Sequence, residues 1–358
     1  MIRVRRHQAQ AVVAVLRHGG GIGLVHLLPG EKGALPRLMR ALFQPETQPQ
    51  AQERLLMEWV RQYGLQRARF VGLLDRAAYL LLPADAPPLP RSEWAMNLRW
   101  KIADRLPYPA EQAVVEFFDL PAPTDQEESG KIYVAVAQES TVQRTVDLFL
   151  KTGVSLVGLD IWDLAVGRLA DALPEDAQGL ALLYWTATGG VINVRRHRTL
   201  FLVRSLETQR DPLGQALEPS PLSPLDDARL ALDTLAVELR RTFHFYENNF
   251  SQPPLEHLFV MPVGEHCDEG AWLQGRAAVD HGAVPELYPW QREPLLTPSP
   301  AGGIRHEADL LTALADRLGV GVHALPLDGM VQSSPSVQEA DLLCCLPALG
   351  AALGWLSE

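Results

Sequence analysis

Apolar positions recur along this chain with two periods, and the period changes at glycine and proline. Residues 11–17 and 22–28 are β-branched runs on either side of Gly19-Gly20-Gly21 and predict a β-hairpin. "EKGALPRLMRALF" and "QAQERLLMEWVRQYG" follow with helical spacing, and Gly64 is placed to stop the second helix. "RARFVGLLD" and "AAYLLLPA" read as strands. A proline-rich break, "DAPPLPRSEW", precedes a helix that Ser92 can cap. In that helix Trp94, Leu98, Ile102 and Leu106 fall at i, i+4, i+8 and i+12, one stripe. Pro107 and Pro109 close it, because a proline restricts its predecessor and lacks a donor.

Strand patterns continue with Val114–Leu120 and "KIYVAVA", separated by the polar loop "PAPTDQEESG". "STVQRTVDLFLKTG" is a helix between Ser140 and Gly153; "VSLVGLD" is a strand and "IWDLAVGRLADAL" a helix. The second half opens with three strands, Leu180–Trp185, Val191–Arg196 and Leu200–Leu206. A Pro-rich stretch, 207–225, reads as a mobile loop. The longest helix, Asp227–Phe250, has the stripe Ala228, Leu232, Leu235, Leu239 and Tyr246, with Phe243 beside it. "LEHLFVMPV" reads as a strand, and "EGAWLQGRAAV" and "HEADLLTALADRL" as helices. The alternation predicts α/β layers. Both halves begin with antiparallel strands and finish with strand-helix alternation, so two related lobes are expected around a cleft. The N-terminal lobe is placed at 1–174, with an inserted subdomain at about 65–125, and the C-terminal lobe at 175–358.

Composition narrows the function. A net charge of −11, from 43 acids and 32 bases, argues against nucleic acid as the main partner. Three cysteines, Cys267, Cys344 and Cys345, are too few for a disulfide framework, which points to a reducing compartment. The apolar run Leu342–Leu356, interrupted by Pro347, is too short to span a bilayer, so a soluble chain is expected.

"RWKIADRLPYPAEQAVVEFFDLPAP" resembles the corresponding stretch of MshI proteins, the biogenesis proteins of the MSHA agglutinin pilus, which are related to PilM of type IV pilus machinery. Residues 157–184 and 230–262, and the terminal "CLPALGAAL", resemble the same family. The resemblance implies an actin-like ATPase fold and a cytoplasmic position at the inner-membrane face. It also implies docking on the cytoplasmic tail of a PilN-like bitopic protein. Trp100, Tyr108 and Phe118 are the candidate partner-binding side chains; Trp94 and Phe117 are expected in the core.

Actin-like ATPases hold phosphates with two glycine-containing hairpin turns, each carrying an Asp that organises Mg²⁺ or water. The resemblance places the first turn near residues 5–12, "RRHQAQAV", with neither Asp nor Gly. The second follows Leu180–Trp185 and reads "TATGG". Thr186, Thr188, Gly189 and Gly190 could still contact a phosphate, and Gly264 is what remains of an adenosine-binding Gly-Gly. With no carboxylate to hold the metal, ATP hydrolysis is not expected, no cofactor is assigned, and ATP binding stays as the rival reading. A sugar or acetate kinase would need an acidic base and both phosphate turns, and neither is found. Neither a P-loop nor a G-x-S-x-G elbow occurs. Glu265, His266, Cys267 and Asp268 are consecutive loop residues and read as solvated rather than as metal ligands. Cys344 and Cys345 read as buried packing. Arg195, Arg196, His197 and Arg198 form a basic hairpin tip, expected to be solvated, with anionic headgroups as the alternative contact.

Overall fold

The computed structural model describes residues 11–18, 20–31, 33–122, 130–186, 189–206, 225–261 and 307–357. The chain divides into two compact units. The first takes residues up to Ala78, then Ser140–Leu173, then the C-terminal segment from Pro326. The second takes Tyr79–Glu139 and Pro174–Leu325.

The first unit is built on β1 (Val12–His18), the central strand that the apolar run predicts. It pairs antiparallel with β2 (Gly21–Leu28), as the hairpin signal requires, and parallel with β4 (Arg69–Leu74). β3 (Arg37–Pro45) extends β2, and β8 (Ser155–Ile161) extends β4. A two-residue strand, β14 (Gln332–Ser333), caps the β3 edge, giving the order β14-β3-β2-β1-β4-β8. β3 is a correction: helical spacing was expected there. Pro36 blocks a helix from starting further back, and β2 offers a free edge along its whole length, so pairing overrides local propensity.

Strand alternation sends Val13 and Val15 to one face of this sheet. There they meet Leu56 and Trp59 of α1 (Pro49–Gln62) and Phe149 of α3 (Glu139–Thr152). Gly64 and Gly153, at φ +65° and +69°, stop these two helices in the left-handed region. The opposite face is covered by α4 (Trp162–Gly167), α7 (Glu339–Cys344) and α8 (Leu346–Ser357). Leu346 to Ala352 of α8 are all buried. Cys345 is a free, buried thiol whose Sγ lies 3.3 Å from the Leu42 carbonyl. Cys344 is also buried. Beside α8, buried Asp160 pairs with Arg168. Burial pushes the Asp160 carboxyl up, and Arg168 opposes that shift. The segment 326–358 therefore belongs with the N-terminal sheet, not with a C-terminal lobe at 175–358. Its helix is apolar on every side and has to be enclosed.

The second unit holds two sheets. The smaller has the order β5-β7-β6, from Tyr79–Asp85, Lys131–Gln138 and Ala113–Asp119. The subdomain expected at 65–125 is thus shifted to 79–139, because β4 is needed in the first sheet. The larger sheet has the order β11-β10-β9-β12-β13. Its strands are β9 (Leu180–Thr186), β10 (Gly189–Arg196), β11 (Thr199–Leu206), β12 (His257–Val260) and β13 (Gly321–Ala324). β9 and β10, and β10 and β11, are antiparallel; β9 and β12, and β12 and β13, are parallel. Strand for strand, this repeats β3-β2-β1-β4-β8. α5 (Leu225–Phe250) buries Leu232, Leu235, Leu239, Phe243 and Tyr246, most of the expected stripe. Tyr246 and Phe250 stand edge-on to Phe201 at 5.4 and 5.3 Å. α6 (Glu307–Leu318) leads into β13. Tyr133 joins the two sheets. Its hydroxyl accepts from the Val203 N–H at 2.9 Å and donates to the Val203 carbonyl at 3.2 Å, satisfying edge groups of β11.

Two outcomes are expected. A Cβ at Gly158 would collide with the Trp355 ring of α8. Gly158→Ala should therefore destabilise the chain by about 1–3 kcal/mol in urea unfolding, as overpacking does. On β2, His26 faces Arg40 and is held near pKa 4, below its ordinary 6.5, by burial first and Arg40 second. The unfolded chain then binds the extra proton between those values, so stability is present above pH 6.5 and falls as pH drops towards 4. His26→Gln should flatten that stretch of a stability-against-pH curve.

Candidate functional site

The repeated strand order gives each large sheet a first hairpin, β1–β2 and β9–β10. The first turn is not at residues 5–12: residues 1–10 lie outside the described residues, and the register closes at His18↔Gly21. The turn therefore contains glycine after all. No carboxylate stands at its strand ends; Arg17 and His18 lead into it. Gln52 of α1, almost fully buried, locks the hairpin. Its amide nitrogen donates to the Gly21 carbonyl at 3.2 Å and the Glu46 carbonyl at 2.6 Å. Its amide oxygen accepts from Arg17 Nε at 2.5 Å. Burial, followed by Arg144, lowers the Arg17 pKa, while Glu53 and Asp75 pull it the other way. A cation thus stands at the end of β1 beside this turn, with Arg144, Glu53 and Asp75 near enough to act on it.

In the second hairpin, Thr186 pairs with Gly189, and Gly190 with Trp185. The register brings Thr186, Gly189 and Gly190 to one strand end; Thr188 and Gly264 lie outside the described residues. The cluster Glu265–Asp268 lies outside them as well.

The three aromatic candidates in the smaller sheet do not form one surface. α2 (Trp94–Lys101) lays Leu98 on the sheet, followed by Ile102 and Leu106, and all three are buried. Tyr108 and Phe117 pack against that same core. Burial pushes the Tyr108 hydroxyl up to about 12. Strand alternation puts Phe118 on the opposite face, 5.5 Å from Tyr133. Trp94 is half-buried against Phe117 at 5.3 Å, with Arg91 over both rings and paired with Asp119. Trp100 alone is open, 56% exposed, on the helix face turned away from the core. Met96, one turn earlier and 70% exposed, shares that face; the sequence reading passed over it, although its i−4 spacing from Trp100 was visible.

The basic hairpin tip is solvated at His197 and Arg198, both exposed, while its base is not. Arg195 is buried and its Nη2 donates to the Arg198 carbonyl at 3.0 Å. His197 and Arg198 are both at positive φ, 50° and 62°. Buried Asp176 holds them. Its carbonyl accepts from the His197 N–H at 2.9 Å, and its Oδ2 accepts from the Arg198 N–H at 2.5 Å.

No family model matches the chain, and no curated protein matches it. Among solved structures it is similar to the PilM–PilN type IV pilus biogenesis complex. The identity is 19% over 96% of this chain and 98% of that one, with a TM-score of 0.61. The fold is actin-like. Two further matches have lower TM-scores. The cytoplasmic domain of EpsL, an inner-membrane component of the type II secretion system of Vibrio cholerae, is 13% identical, with 70% and 81% covered and a TM-score of 0.42. A Bacteroides thetaiotaomicron protein of unknown function with an actin-like ATPase fold is 8% identical, with 97% and 98% covered and a TM-score of 0.42. In an actin-like chain the first hairpin turn would face phosphate. Here Gln52 holds the Gly21 carbonyl of that turn and the Arg17 side chain at the end of β1.

The strained tip yields a prediction. Arg198→Gly should raise the unfolding free energy by about 1 kcal/mol, since glycine takes positive φ without steric cost. Asp176→Ala should lower it by about 1 kcal/mol by removing the Oδ2 that accepts the Arg198 N–H. Urea melts of both variants check the two signs.

Proposed function

We propose that this chain is a non-catalytic, actin-like scaffold of a type IV pilus assembly platform, of the MSHA kind that its sequence resembles. It works in the cytoplasm at the inner-membrane face and docks on the cytoplasmic tail of a PilN-like membrane protein. The observation that carries the reading is the fold match to PilM, in a complex with PilN, along nearly the whole of both chains. Two features support it. Among the described residues no helix is long and apolar enough to cross a membrane, so a membrane-anchored partner would supply the attachment. Arg17 stands beside the first turn, where metal-nucleotide chemistry needs a carboxylate. Trp100, with Met96 beside it, is the exposed anchor offered to a partner; Tyr108 and Phe118 support the subdomain from within.

Immobilised tail of the PilN-like partner should retain the full chain at micromolar concentration, and Trp100→Ala should weaken retention. No retention of the wild-type chain overturns the proposal. ATP binding is the second reading, favoured by the glycines of the two hairpin turns. A nucleotide at about 100 times its Kd would stabilise the fold by roughly 2.7 kcal/mol. Thermal melting with millimolar Mg²⁺-ATP should show no such rise; a rise would establish the second reading.

A further inference from the structure

On one face of the β12–β13 edge, two imidazoles converge on a point left empty by a glycine. His257 lies opposite Gly321 in the parallel register, and His323 opposite Phe259. A Cβ placed on Gly321 would sit 2.7 Å from His323 Nε2, 3.4 Å from His257 Nδ1 and 3.4 Å from the Glu256 carbonyl oxygen. Two nitrogens and one oxygen therefore gather at a point over the Gly321 Cα, where no side chain stands between them. The rings are 5.6 Å apart, and Phe259 stacks beside both. His257 Nδ1 is buried and has no hydrogen-bond partner, an uncompensated polar atom that a ligand could satisfy. His323 is exposed, so the point can be reached from solvent. A cavity of about 400 Å³, lined in part by His244, Glu247, Glu256 and Gly321, adjoins it. Its acids offset Arg240, whose Nη1 is already donated to the Arg317 carbonyl.

We propose that His257 and His323 form a binding site for a borderline divalent transition-metal ion, Zn²⁺, Ni²⁺ or Cu²⁺. Neutral imidazole nitrogen is the ligand these ions select. The Glu256 carbonyl accepts the Gly321 N–H at 2.8 Å through one lone pair and keeps the second for the ion. Among the described residues no group of three or more His, Cys, Asp or Glu stands together, so water completes the coordination and the site is open rather than structural. The ion would tie the edge strand β13 to β12.

The test uses the full chain after EDTA treatment and dialysis, titrated with Zn²⁺, Ni²⁺ or Cu²⁺ chloride. Metal should raise the melting temperature, and the Cu²⁺ electron paramagnetic resonance spectrum should show coupling to two nitrogens. His257→Gln and His323→Gln should each weaken binding at least about tenfold, the low end of what losing even an outer-shell partner costs. Gly321→Ala should do the same by filling the point. Absence of any metal-induced shift at millimolar ion overturns the proposal. Equal affinity in the double histidine variant overturns it too, since the ion would then be held elsewhere. The histidine variants keep the test decisive if Gly321→Ala fails to fold.

Discussion

Burial of the last helix is the constraint on which the first unit depends. Leu346–Ser357 has no face suited to water, so the sheet on which it lies must present an equally apolar surface. β1 meets that demand by being apolar on both sides: Val12, Ala14 and Leu16 face the terminal segment, while Val13 and Val15 face α1 and α3. Glycine makes the approach close enough. Gly350 lies against the Ala165 carbonyl, Gly23 beside Cys345 and Gly158 under Trp355. Any of these positions with a side chain would lift the helix from the sheet.

The same strand order in the second large sheet repeats the solution with different materials. There α5 supplies the cover, and an aromatic group of Phe201, Tyr246 and Phe250 fills its end. The smaller sheet is attached through Tyr133, whose hydroxyl occupies the open edge of β11 at Val203. An edge strand with free backbone groups invites unwanted pairing, and a single buried tyrosine removes part of that risk.

The first hairpin turn is tied to α1 of its own unit. Gln52 satisfies the first turn from inside the protein, and Arg17 supplies a positive charge beside it. On the outward face of α2, Met96 and Trp100 stand in water.

Local sequence rules determined a good deal. Alternating β-branched runs around glycine located the β1–β2 hairpin, and Gly64 and Gly153 stopped their helices, whereas the helix expected to run to Pro107 ends at Lys101 and leaves Ile102 and Leu106 beyond it. Those outcomes depend on dihedral preference and on the period of burial, which neighbours in the chain carry. Three outcomes were decided by tertiary structure. Arg37–Pro45 became a strand because β2 had an edge to fill. The C-terminal segment returned to the first sheet because an apolar helix needs two walls. Trp100 was separated from Tyr108 and Phe118 because a strand sends alternate residues to opposite faces, and only packing says which face is closed. The approach of His257, His323 and Gly321 is of the same kind, since residues more than sixty positions apart meet only through strand register.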